Sequence, residues 1–275
     1  MAVTVTLGAL VGAFVWIRAR EPASGLRLSL VGDVPFGGPT LTATGESVNL
    51  AGGEQPPGVG EQPRPIGQPA SAPTSLGPFA FMRAQPGSSA PIAYDPCRAI
   101  HVVLNDRTAP PGADTLVRAA LTEATNYSGL RLIIDGPSDE TPSPHRSPYQ
   151  TDRYPGRWAP VLIAWTDPTT DPNLAGPTAG LGGSTALLIN QTGVYVSGQI
   201  ELDGPQLSSE LTRPNGARLV QAVIEHELGH VLGLNHVNDP TQIMNPTTTE
   251  QVLDYAPGDQ LGLEALGRGR CMPNV

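Results

Sequence analysis

Three of the five histidines in this chain fall in one run, His226-Glu227-Leu228-Gly229-His230-Val231-Leu232-Gly233-Leu234-Asn235-His236. Residues four apart on an α-helix stand one turn above each other on the same face, so His226 and His230 can offer ring nitrogens to one metal ion. Imidazole nitrogens in that arrangement suit zinc, which takes four ligands in a tetrahedron. Gly233 ends the helix in a backbone conformation that other residues resist, and the chain turns back to bring His236 in as a third ligand. Glu227 is off the ligand spacing. Its carboxylate falls beside the open fourth position, where it can take a proton from bound water as general base. Ordinary surface histidines are the plain alternative, but five residue types at fixed spacing are far more specific than a bare His-Glu-x-x-His.

These groups need a helix beneath them, and the sequence predicts one over residues 217–234. Ahead of it, apolar runs predict strands at 99–104, 130–134, 159–165, 182–189 and 194–202. Leu116, Ala120, Leu121 and Ala124, near helical spacing with Gly129 beyond them, predict a helix over 111–127. A last helix is expected over 257–266. The residues between 137 and 158 read as a polar, proline-rich loop.

Met244 lies eight residues beyond His236, in Gln242-Ile243-Met244-Asn245-Pro246. Together the two stretches resemble the extended zinc signature and Met-turn of the metzincin metallopeptidases. The Met-Asn-Pro form and the segment 257–266 look most like the matrixin branch. Pro246 stands where some other branches carry a tyrosine ligand, so no such ligand is assigned. The resemblance implies an α+β metzincin-type zincin fold. Its twisted mixed five-stranded sheet would pack on the active-site helix, a second long helix and a C-terminal helix.

It also implies one catalytic Zn2+ on His226, His230 and His236, with Met244 beneath and Glu227 as general base of a zinc-dependent endopeptidase. Strand 182–189 would then form the rim of a cleft and pair with an extended polypeptide substrate. A fully paired interior strand is the alternative. The wall of the pocket beyond the cut bond would come from 245–255, where Thr247, Thr248 and Thr249 suggest nothing narrow. From another class, a non-catalytic zinc-binding surface module would need the histidines but not Glu227.

Of the other histidines, His101 sits inside a strand and reads as a hydrogen-bonded core or edge residue. His145 has no second histidine beside it, so no second zinc is expected. Asp139, Glu140 and Asp152 are the carboxylates that this loop would offer a Ca2+ ion. Trp158 and Trp165 read as core.

The 30 prolines and 32 glycines are spread unevenly over the 275 residues. Residues 21–94 read as a Pro/Gly-rich disordered linker or stalk with no amphipathic period up to about residue 75, and the apolar patch Phe79-Ala80-Phe81-Met82 as a strand leading into the globular part, leaving 95–275 as the protease domain. Residues 2–17 are apolar, with Arg18 and Arg20 after them. That makes 1–20 a signal or anchor segment, short for a membrane span. The first reading is an extracytoplasmic chain, membrane-anchored or secreted; the charge order would favour a cytoplasmic-facing one. A net charge of −9 argues against nucleic acid as partner. All sixteen basic residues are arginine. A monomer is expected. Cys97 opens the domain and Cys271 nearly closes it, so a disulfide would tie its ends together. The alternative is a free Cys97, or one that blocks the zinc as the pro-segment cysteine does in many matrixins, although its surroundings do not match that family's switch motif.

Overall fold

The structure is a computed structural model. It describes residues 60–71, 73–273 and 275 in full and, before residue 60, the backbone of the short strands Leu28–Ser29, Leu41–Ala43, Asn49–Leu50 and Gly53–Glu54. The anchor expected at 1–20 lies outside the described residues, as does most of the linker up to 59. Among the described residues no helix is long and apolar enough to cross a membrane.

Five apolar runs become the long strands of one sheet: β3 (Ile100–Asn105), β4 (Leu132–Pro137), β5 (Val161–Thr166), β6 (Gly180–Ile189) and β7 (Thr192–Asp203). Their order is β6-β7-β5-β3-β4, and the short strands Leu41–Ala43 and β2 (Ala93–Tyr94) add to the same sheet. β7, β5, β3 and β4 pair in parallel, while β6 returns antiparallel from its hairpin with β7. The sheet is thus mixed, as the resemblance implies.

Parallel strands covered on both faces read as continuous apolar text rather than as alternation. One face, through Val102, Ile163 and Ile200, packs on α1 (Ala113–Ser128) and α3 (Gly216–Leu232). The other, through Val103, Leu162 and Ala164, is covered by Tyr154 and Ala159 of the loop after β4. α4 (Pro257–Gly267) closes the helical layer against α1. The helix α2 (Gly204–Glu210), absent from the sequence reading, starts where the Asp203 side chain accepts from the Gln206 N–H, with Pro205 in its first turn.

The loop after β4 is held by an ion pair. Arg146 donates to both oxygens of Glu140, at 2.8 and 2.9 Å, and also to Ser197 Oγ and the Gly198 and Pro160 carbonyls. Burial alone would raise the Glu140 carboxyl, but Arg146 outweighs it and holds the group below its ordinary range. Asp139 is paired with Arg153. Two of the three carboxylates offered to calcium are therefore already engaged by arginine, and Asp152 is exposed.

Composition assigns residues up to 94 to the linker. From residue 60 onward the structure instead seats this segment on the domain. Gln62 and Ile66 donate to the Cys97 and Pro96 carbonyls, Ala70 to Asn126, and Met82 to Gly233. β1 (Ala80–Phe81) pairs with β8 (Leu234–Asn235). Few side chains here bury an apolar face, so no period marks the segment; its backbone groups are satisfied by partners distant in sequence. Cys97 and Cys271 are disulfide-bonded, joining the start of β3 to the chain's last residues.

Candidate metal centre

Near its C-terminal end α3 is buried on all sides, from Ala222 through Leu232. His226 and His230 sit one turn apart there, and Gly233 ends the helix at φ 123°, its N–H bonded to Gly229 O and His230 O. The chain then doubles back through β8, and His236 arrives beside the other two. The three Nε2 atoms lie 3.0, 3.0 and 3.2 Å from one another.

Protonation states follow from the partners on the far side of each ring. His226 Nδ1 lies 2.6 Å from Ile243 O and His230 Nδ1 lies 2.9 Å from Leu234 O. A carbonyl can only accept, so both Nδ1 atoms carry the proton and both Nε2 atoms present bare lone pairs. Burial, followed by the neighbouring rings of His230 and His236, pushes His226 well below its ordinary pKa. Burial likewise takes His236 down to about 4. Neutral imidazoles with converging lone pairs repel unless a cation sits among them. Tetrahedral zinc with bonds of about 2.0–2.1 Å sets its ligand nitrogens roughly 3.3 Å apart, close to the observed triangle. The donor set therefore fits zinc.

Met244 is buried, with its thioether against the ligand-bearing helix at Gly229. A Cβ built at Gly229 would lie 2.5 Å from Met244 Sδ, so the helix can rest on the thioether only because residue 229 has no side chain. The turn bearing Met244 is held from behind by Asp259, whose carboxylate accepts from the N–H groups of Ile243 (2.8 Å), Met244 (3.3 Å) and Ala256 (2.9 Å). Burial nonetheless raises the Asp259 carboxyl to about 6. Asp259 thereby reaches the metal site indirectly: it fixes the Ile243 peptide, whose carbonyl orients His226.

Glu227 is 1% exposed, and neither of its carboxylate oxygens has a hydrogen-bond partner. Burial drives its pKa well above the ordinary carboxylate range. The carboxylate fits beneath β6 at two glycines. A Cβ at Gly180 would meet Glu227 Oε1 at 3.0 Å, and one at Gly182 would meet Glu227 Oε2 at 3.0 Å and its backbone O at 2.5 Å. Ser184 fastens the same strand to the helix by donating to Val231 O at 2.7 Å.

On its inner side β6 pairs with β7 throughout. Among the described residues, its outer edge is paired only at Leu187–Ile189, with Leu41–Ala43. Among the described residues, the rim strand thus has no outer partner over Glu227. The stretch 245–255 follows Met244 along the chain. It contains β9 (Thr247–Thr248), and Tyr255 donates to Glu225 O at 2.6 Å.

His226, Glu227, His230, Gly233, His236 and Met244 thus come together. Cys97 and Cys271 form a separate group with Glu61 and Asp95, away from the histidines, so Cys97 is no zinc-blocking thiolate in this structure. His101 is a sheet residue bonded to Asp135 at 2.6 Å. Sequence reasoning missed Gly180, Gly182, Gly229 and Asp259. Glycine inside a helix or strand is unfavourable in itself, and that cost was the available signal for the first three.

Residues 171–266 match the family model described as Matrixin, of peptidase group M10. The match takes in β6, β7, α3, the Met-turn and nearly all of α4. A search of curated proteins finds no match. Among solved structures, the chain is similar to high choriolytic enzyme 1, a hatching-enzyme zinc-protease of the medaka fish Oryzias latipes. The identity is 12%, the coverage 70% of this chain and 100% of that one, and the TM-score 0.35. It is also similar to metalloproteinase-II of Bacteroides fragilis, at 16% identity, 70% and 59% coverage, and a TM-score of 0.36.

Proposed function

We propose that the chain, whose residues 171–266 match the matrixin model, carries a metzincin domain of that type and is a zinc-dependent endopeptidase that cuts within extended polypeptides. One observation supports this reading: Glu227, buried and with both oxygens unpartnered, follows His226 on the helix that brings three histidines together with converging lone pairs. A zinc ion held by His226, His230 and His236 would supply Lewis acidity, lowering the pKa of a bound water to about 7 and polarising the scissile carbonyl.

The remaining work falls to the chain itself. Glu227 takes the proton from the attacking water and hands it to the leaving amine. Its buried position favours proton uptake, while the charge of a zinc ion held by the three neutral histidines would oppose this and keep the carboxylate able to release the proton. The outer edge of β6, which has no partner over 180–186 among the described residues, offers backbone groups to a substrate strand, which would align a peptide rather than a small molecule over the site.

The Cys97–Cys271 bond suits an oxidising compartment. With the apolar segment 2–17 it supports an extracytoplasmic, signal-directed or membrane-anchored protein. The test is cleavage of casein or a random peptide library by the zinc-loaded full chain, alongside Glu227→Ala. Cleavage that vanishes in the variant while zinc content stays the same supports the reading. No cleavage by the intact, zinc-bound protein leaves a zinc-binding module, and activity that survives Glu227→Ala removes the proposed base.

A further inference from the structure

The loop that delivers His236 is short. After Gly233 it runs through Leu234 and Asn235 as β8, between two ligands; Leu234 packs towards Gly229 and Gly262, Val237 donates to Met244 O, and the N-terminal segment pairs along its remaining side. Phe81 stands opposite Leu234 and Ala80 opposite Asn235 in an antiparallel pair, and Met82 donates its N–H to Gly233 O at 2.8 Å. The Leu234 carbonyl in turn accepts from His230 Nδ1. Two adjacent peptides are therefore held, Gly233–Leu234 by the N-terminal strand and Leu234–Asn235 by a ligand.

The strand is itself anchored. Phe79 packs against Phe81, with ring centroids 5.4 Å apart, and lies over Gly262 of α4, where a Cβ would come within 3.2 Å of Phe79 Cβ. Beyond it the chain folds back through an Ala84–Pro91 bridge, with Ile92 donating to Arg83 O.

We propose that residues 79–82 are a positioning element of the metal centre: by pairing with Leu234–Asn235 they fix the loop bearing His236 and so govern how tightly zinc is kept. N-terminal trimming that leaves a working enzyme must accordingly stop before residue 79. This rests on the zinc reading above. Groups that orient ligands without touching the metal typically change its affinity by about 10- to 100-fold when lost.

The full-length chain is loaded with zinc and challenged with a chelator, and zinc release is followed by an indicator dye. Met82→Pro deletes the donor to Gly233 O and is expected to release zinc roughly 10- to 100-fold faster than wild type. Ala70→Pro deletes a comparable donor on the same segment, to Asn126 O, and is expected to release it at the wild-type rate. Release from Met82→Pro at the wild-type rate overturns the inference, as does equal acceleration in both variants, which would mean general loosening. A wild-type chain that takes up no zinc overturns the zinc reading itself.

Should Met82→Pro fail to fold, hydrogen exchange of the wild-type chain decides, because coupling between two sites is reciprocal. Zinc removal is then expected to lower the protection of the Met82 amide and leave that of Ala70 unchanged. No change at Met82 overturns the inference.

Discussion

Replacing Gly182 with alanine tests whether the rim strand sets the position of the general base. The new Cβ would lie 2.5 Å from the backbone oxygen of Glu227 and 3.0 Å from its Oε2. The second contact can be relieved by turning the side chain, but the first is with helix backbone and cannot. Strand β6 and helix α3 must separate by something near 1 Å, against the Ser184 bond to Val231 O that ties them. Overpacking of this kind costs about 1–3 kcal/mol of stability. A displacement of about 1 Å between a catalytic group and its target costs on the order of 100-fold in rate. The variant is expected to bind one zinc, because its three ligands lie elsewhere, and to lose roughly 100-fold in kcat with KM little changed. Steady-state kinetics on a fluorogenic peptide selected from the library, together with metal analysis, measures both. A variant that folds, binds zinc and turns over at the wild-type rate refutes the claim that the glycine makes room for Glu227.

Asp259→Asn leaves the N–H groups of Ile243, Met244 and Ala256 with a poorer acceptor. It should cost about 1–3 kcal/mol in urea denaturation and weaken zinc binding through the Ile243–His226 contact; unchanged stability would refute the bracing role. The two cysteines, 174 residues apart in sequence, should give no free thiol on titration of the denatured protein. In the chain-entropy model, removing the bond costs on the order of 4–5 kcal/mol. Burial, with Asp171 nearby, raises the Glu201 carboxyl from 4.5 to about 8. The folded state thus holds this proton more tightly than the unfolded one, so the associated stability is fully present below about pH 4.5 and is lost as pH rises through about 8. Glu201→Gln should remove that part of the slope, roughly a few kcal/mol, when zinc-loaded wild type and variant are unfolded in urea at pH 5 and pH 8.5. Parallel curves would show that Glu201 does not titrate in this way.

What was legible in the sequence is what is local. His226 and His230 share a helix face by spacing alone, Gly233 marks the end of that helix, and His236 follows within one turn of chain. Met244 and α4 could be placed by resemblance to the matrixins. Val161–Thr166 was readable because it buries an unbroken, mostly apolar run, the other long strands because each contains a shorter apolar run, and α1 because its apolar side chains recur at helical spacing. Tertiary structure decided what depends on partners distant in sequence. Residues 60–94 look like linker by composition, since proline, glycine and small polar side chains bury little; they are ordered by backbone hydrogen bonds that composition does not encode. Gly180 and Gly182 matter because the Glu227 side chain passes under them, and Asp259 because the Met-turn folds back onto α4. Arg146 engages Glu140, a carboxylate the sequence left open to a cation. Ligand spacing is a property of one helix and can be read along the chain, whereas room for a carboxylate or an acceptor behind a turn exists only once separate segments have packed together.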